Sequence, residues 1–268
     1  MISTGTTLKL VILVANNEPM IKFFRKIRYD LMEKNKTGKY LKYAIGEIVL
    51  VVIGILIALS INNWNENRKT DKIANENYLN FLTSLEQDSI KVQQTIVMSK
   101  KSLGALQKII PLDMNRELLE LTEENLNKYL IEVSYASRSF IPKSGVYNLL
   151  TSNNGFDLIK SDNIKSLLIN LYDYQYKSYE DLDAQVDYKY HNQLGSVLRE
   201  KIVLIKEYNP KLILAHRASP NLFKKHYSEL ASESRDIYPM LSFNTITLIK
   251  IKESINELIP LIRDEIQK

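Results

Sequence analysis

Eighteen consecutive residues, Ala44 to Ile61 (AIGEIVLVVIGILIALSI), contain one ionisable side chain, Glu47, and no polar stripe. As a helix they rise about 27 Å, against a hydrocarbon core of roughly 30 Å. A buried helix of a soluble fold would show a polar edge over this length. A secretory signal would be shorter and would end in a small-residue cleavage site, which does not follow here. Tyr40 and Tyr43 precede the run and Trp64 follows it, where amphipathic rings favour a membrane interface. The pattern predicts a transmembrane helix over residues 43–64, with the lipid bilayer as its solvent and Trp64 as an interface anchor.

Charge supplies a direction. Residues 20–42 carry eight basic side chains (Lys22, Arg25, Lys26, Arg28, Lys34, Lys36, Lys39, Lys42) and two acids, a net of +6. After the run, Arg68, Lys69 and Lys72 are offset by Glu66 and Asp71. The positive-inside bias predicts a single pass through the inner (cytoplasmic) membrane, with a cytoplasmic N-terminus and residues 65–268 in the periplasm. The whole chain is +5, and residues 1–19 are neutral, so residues 43–268 sum to −1. The excess positive charge is a juxtamembrane collar suited to anionic lipid. A nucleic-acid-binding domain would carry that charge in its folded part, so nucleic acid is not an expected partner.

Within residues 20–42, Phe23, Phe24, Ile27 and Leu31 fall on one helical face among basic residues. This suits either an amphipathic helix on the inner leaflet or an unstructured basic tail. Residues 1–19 hold an apolar piece, Leu8–Ala15, too short to span and interrupted by Lys9. They read as an upstream extension, with Met20 as the native start.

The block from Met20, MIKFFRKIRYDLMEKNKTGKYLKYAIGEIVLVVIGILIALSINNWNENRK, resembles the N-terminus of an uncharacterised family of single-pass membrane proteins of Bacteroidota, a domain of unknown function. The resemblance rests on MIKFFRKIR, on the Tyr43-Ala-Ile-Gly-Glu47 start of the span and on Asn62-Asn-Trp-Asn-Glu66. It extends more loosely to Tyr147–Ile159. It implies a start at Met20 and no particular activity.

The remaining 200 or so residues suffice for one sizeable core. Eight glycines and seven prolines in the whole chain argue against a many-turned β fold, and long strand alternation is absent. Tyr78, Leu82, Leu85, Ser89, Val92, Ile96, Ser99, Leu103, Leu106 and Ile110 alternate steps of four and three, a coiled-coil-like seam ended by Pro111. Nothing between Asn65 and Tyr78 breaks a helix, so the span is expected to continue into this seam. Thr122 caps a short helix to about Val133. Pro142 opens another, closed at Ser152–Gly155 with Gly155 in a left-handed cap position. Ser161 or Asp162 caps a long helix to about Lys206, stopped by Asn209-Pro210. Residues 207–235 are irregular, and a last helix spans about Pro239–Gln267, kinked at Pro260. The expected fold is all-α: one N-terminal transmembrane helix, then an extracytoplasmic antiparallel helical bundle with long helices.

Candidate chemistry is sparse. The three histidines, His191, His216 and His226, form no His-x-x-x-His pair, and no cysteine is present for a zinc site. No phosphate-binding glycine loop and no Gly-x-Ser-x-Gly occurs. No catalytic, metal or cofactor-binding residue is assigned, and no cofactor is expected. Tyrosine is abundant, with 16 copies, and Tyr172, Tyr176 and Tyr179 share one helical face. That face is either a ligand- or partner-binding surface or ordinary packing with hydroxyls outward. In the span, Gly46, Gly54 and Ala58 share a face that would allow self-association. Glu47 is either an interfacial anchor or a functional intramembrane acid.

These features favour a non-enzymatic interaction or scaffold protein of the cell envelope, binding itself or another envelope protein. The alternative is a sensor or small-ligand-binding domain that signals through a partner, since only about forty residues lie on the cytoplasmic side.

Overall fold

The computed structural model describes residues 37–267 except 112, 154 and 208–214, together with residues 22, 25, 26 and 29. Residues 1–19 and the apolar face Phe23, Phe24, Ile27 and Leu31 lie outside the described residues. Lys22, Arg25, Lys26 and Tyr29 are helical and exposed. The chain divides into two compact units, Met1–Lys69 and Thr70–Lys268.

Helix α1 covers Thr37–Ile109 without interruption. Over its first unit the apolar side chains face outward: Ile45, Ile48, Leu50, Ile53, Leu56, Leu59 and Ile61 are all exposed. Among the described helices, α1 alone is long and apolar enough to cross a membrane, and none of its most apolar stretch is buried.

From Thr70 onward burial alternates by heptads. Tyr78, Leu85, Val92, Ser99 and Leu106 are buried as the spacing predicts. The second series is displaced by one residue from the expected one. Phe81, Asp88, Ser102 and Ile109 are buried, whereas Leu82, Ser89, Leu103 and Ile110 are only half-buried. Ile96 is buried together with its neighbour Thr95. Phe81 sets this phase, because its ring has more apolar area to remove from water than Leu82. The consequence is that Asp88 enters the core.

The chain then returns along α1 in broken pieces. They are α2 (Arg116–Leu119), α3 (Glu123–Ser134) and α4 (Gly145–Ser152), with short 3-10 turns at Tyr135–Ser137 and Gly155–Leu158. Thr122 Oγ1 accepts from Asn125 N–H and caps α3 as expected. Ser102 Oγ donates to Val133 O (3.0 Å), Lys143 N–H donates to Asp88 Oδ2 (3.1 Å) and Lys160 Nζ pairs with Asp71 (2.6 Å). Those contacts step backward along α1 as the chain advances. Pro142 lies before α4, in the irregular segment 138–144, and does not open the helix. Gly155 is not in a left-handed cap conformation; it packs closely on Leu150, whose Cδ2 would lie 2.6 Å from a Cβ there.

A long helical stretch follows from α5 (Asp162–Ile169) through α6 (Lys177–Lys189) and α7 (Gly195–Val197). Ser161 Oγ caps it by accepting from Ile164 N–H. Three π-helical segments interrupt it, at Asn170–Tyr176, Tyr190–Leu194 and Leu198–Ile202. Gly195, the first residue of α7, closes the second of these wide turns. A Cβ would sit 2.7 Å from Tyr190 O, the carbonyl that Gly195 N–H bonds. The stretch ends at Ile202 and not near Lys206, because the chain turns into an antiparallel strand pair, β1 (Val203–Glu207) and β2 (Ala215–Ala218). Asn209 and Pro210 fall outside the described residues.

Residues 219–235, expected to be irregular, are largely helical. Ser219 caps α8 (Pro220–Lys225), and α9 runs from Tyr227 to Ile266. Pro239 and Pro260 both lie inside α9, so neither begins it. Its polar contacts fix its direction: Tyr227 OH donates to Ile109 O (3.0 Å), Asn244 reaches Asp183, and Arg263 pairs with Glu86 (2.6 Å). The legs therefore alternate in direction: α1, the broken return, the π-interrupted stretch and α9. Two apolar cores stack between them. One gathers Leu106, Ile109, Leu126, Val133, Leu194 and Leu230; the other gathers Phe81, Leu85, Ile164, Leu168, Ile251 and Ile255.

Candidate functional site

Tyr172, Tyr176 and Tyr179 do share a face, and all three are buried in the second core. Their hydroxyls point inward. Tyr176 OH donates to Asp88 Oδ2 (2.9 Å). Tyr179 OH donates to Asp183 Oδ1 (2.9 Å) and accepts from Phe140 N–H (2.7 Å). Tyr172 stacks on Tyr147, with ring centroids 4.5 Å and planes 4° apart. The hydroxyls are therefore not turned outward; the rings pack in the core, while Tyr172 and Tyr176 also line one surface cavity and Tyr179 a second.

A cleft lies on its outer side. One cavity of about 370 Å³ is lined by Ser144, Tyr147, Asn148, Asp173, Lys177 and Glu180 among others. A second, of about 270 Å³, has walls that include Phe140, Ile141, Pro142, Tyr179, Asp183 and Asp187. Both cavities include Glu180. One wall is the irregular segment 138–144 with α4, and the other is the stretch 172–187.

Electrostatics separate the groups. Burial pushes the phenols of Tyr147, Tyr172, Tyr176 and Tyr179 well above their ordinary range, so they remain protonated hydrogen-bond donors. Asp173 is held below the usual carboxylate range by Lys177 (2.8 Å) and by Tyr147 OH (2.5 Å). Asp88, at 1 % exposure, is pushed the other way. Its desolvation outweighs the Lys143 N–H and Tyr176 O–H bonds and the Lys143 charge that favour the carboxylate. Its Oδ1 has no partner among the described residues. The array offers donors, the carboxylates of Asp173, Glu180, Asp183 and Asp187 along the cavities, and the sequestered carboxyl of Asp88.

The histidines are dispersed. His191 pairs with Asp187 (3.2 Å), and His226 lies 3.8 Å from Glu229, which also pairs with Lys201. The side chain of His216 lies outside the described residues. Among the described residues no group of three or more His, Asp or Glu could hold a metal ion. In the first unit, Gly46, Gly54 and Ala58 are exposed, and a Cβ on either glycine would meet open space. Glu47 is half-buried, and Trp64 is exposed with the Arg68 guanidinium 5.9 Å from its ring centre. A hollow along Ile53, Ile57 and Trp64 is a groove on the outside of α1 and gathers no chemistry.

Asp88, Tyr147, Asp173 and Asp183 were not singled out by the sequence. A signal existed for Asp88: counting heptads from Phe81 places it next in the seam.

Residues 47–198 match the family of unknown function DUF6090. The chain belongs to this family. The match begins at Glu47 and ends at Leu198, so the family's shared region takes in most of the apolar stretch, the α1 seam, the cleft and most of the π-interrupted stretch. No curated protein and no solved structure matches the chain.

Proposed function

We propose that this protein is a single-pass protein of the inner membrane whose helical domain, residues 65–268, works in the periplasm as a non-enzymatic interaction protein. The observation that carries the reading is the contrast within α1. From Thr70 it buries an apolar seam, whereas over residues 45–61 every Ile, Leu and Val is exposed. Exposing that many large aliphatic side chains to water would cost about 1.5–3 kcal/mol each, and lipid removes the cost. The basic collar before the span favours a cytoplasmic N-terminus.

The test has two parts. A reporter active only outside the cytoplasm, fused to the C-terminus, is expected to be active; silence reverses the topology. Crosslinking in intact cells is expected to trap a defined homo-oligomer or envelope protein, and a monomer without partners removes the interaction role. Gly54→Leu tests self-association through Gly46, Gly54 and Ala58: an unchanged oligomer excludes that face. Glu47→Gln distinguishes anchoring from function, because only a functional acid changes phenotype with insertion intact.

The cleft supports a second reading, a small-ligand-binding domain acting through a partner. Its mixed lining of hydroxyl, amide, ammonium and carboxylate groups suits a polar ligand.

A further inference from the structure

Asp88 stands at a junction. It belongs to α1, yet its Oδ2 holds the backbone N–H of Lys143 in the irregular segment 138–144 and the hydroxyl of Tyr176 in the π-helical segment. Those two segments are the opposite walls of the cleft. The Lys143 side chain adds a second tie, from Nζ to Gln87 Oε1. Asp88 is thus the one residue of α1 that bonds to both walls among the described residues.

We propose that Asp88 is a proton-operated tie that sets how firmly segment 138–144 closes the cleft. With the carboxyl protonated, the junction is neutral and closed. With it ionised, a charge sits in a dry core with Oδ1 unpartnered, and the wall opens more readily to let water reach it. The groups facing Asp88 fit this role. Lys143 is the charged group that acts on it, and Tyr172 and Tyr176 on the third leg are neutral phenols that feel its charge. The residues that α9 brings to this core, Leu248, Ile251, Ile255, Leu258 and Ile262, do not titrate. The α9 cations Lys252 and Arg263 are engaged elsewhere on α1, with Gln93 and Glu86, and among the described residues Lys143 is the charge that acts on Asp88. The sign follows from linkage: burial raises the closed-state pKa above the value of an open, solvated carboxyl. Opening therefore becomes easier as pH rises between those two values and is independent of pH above them.

The test is hydrogen exchange read by mass spectrometry on the full-length protein in detergent, from pH 4 to pH 8, corrected for intrinsic rates. Peptides covering residues 139–144 are expected to lose protection as pH rises and then to level off. Those covering 248–262 serve as the reference and should not follow. Asp88→Asn is expected to abolish the pH dependence. Tyr176→Phe removes a donor that favours the carboxylate, so the levelling-off should move to higher pH. A flat wild-type profile overturns the proposal, as does a pH dependence that survives in Asp88→Asn. Should Asp88→Asn not fold, an unmoved profile in Tyr176→Phe overturns it equally. The experiment reads the domain itself and is indifferent to its side of the membrane.

Discussion

The ring of Tyr147 lies parallel to that of Tyr172 at 4.5 Å, while the Tyr147 hydroxyl reaches over to Asp173, the residue next to Tyr172. One side chain from α4 therefore fixes both the core and the rim of the third leg. Tyr147→Ala is expected to cost about 3–5 kcal/mol, as for a large buried aromatic. Tyr147→Phe keeps the stack and should cost only about 0.5–1.5 kcal/mol. Urea unfolding monitored by circular dichroism separates them; equal losses would mean that the hydroxyl, not the ring, holds α4.

Asp88→Ala and Asp88→Asn should move stability in opposite directions. Alanine strands the Lys143 N–H and the Tyr176 hydroxyl, at about 1–3 kcal/mol for each unsatisfied group. Asparagine removes the buried charge, keeps an oxygen acceptor, and places an N–H donor in a core that also holds the unpartnered Tyr172 hydroxyl. Asp88→Asn is therefore expected to melt above the wild type at neutral pH. The gap should close as pH falls through the raised Asp88 pKa, because the wild type is then neutral as well.

Asp173 has the reverse sign. Lys177 and Tyr147 hold its pKa below that of the unfolded chain, so its contribution is present above the unfolded value and is lost as pH falls through the folded one. An Asp173→Asn variant should lose less stability than the wild type on acidification below about pH 4. Melting temperatures across that range check it. Because Asp173 is only half-buried and Lys177 is exposed, the difference should shrink in high salt.

Gly195→Ala is expected to destabilise by about 1–3 kcal/mol, since the added methyl meets a backbone carbonyl that cannot move away. Gly104→Ala, on the exposed side of α1 with open space around it, is expected to stabilise by about 0.4–1 kcal/mol. Paired denaturation curves test both.

Much of the fold could be read from spacing. The apolar stretch, the heptads of α1 and the caps Thr122 and Ser161 all follow from periodicity and cap chemistry. Pro239 and the α1 seam were among the features that misled. Pro239 suggests a helix start, yet α9 already has three turns before it, built on the buried Tyr227, Leu230, Ser234 and Ile237. The seam offered Leu82 and Phe81 side by side, and tertiary packing chose the aromatic. The cleft was invisible because its walls come from residues 138–151 and 172–187, which only the return leg brings together.

The third leg buries Ile164, Leu168, Tyr172 and Tyr176 in steps of four, and again Val186, Tyr190, Leu194, Leu198 and Ile202. In an ordinary α-helix each such step overshoots the turn by about 40°, so this inward row would wind away from its partners. The π segments unwind the helix where that error accumulates, and the row stays aligned. These turns act as expansion joints: each stores one surplus residue. A single deletion within Asn170–Tyr176 can be absorbed by tightening the turn, whereas the same deletion in Lys177–Lys189 would swing everything beyond it by about 100°.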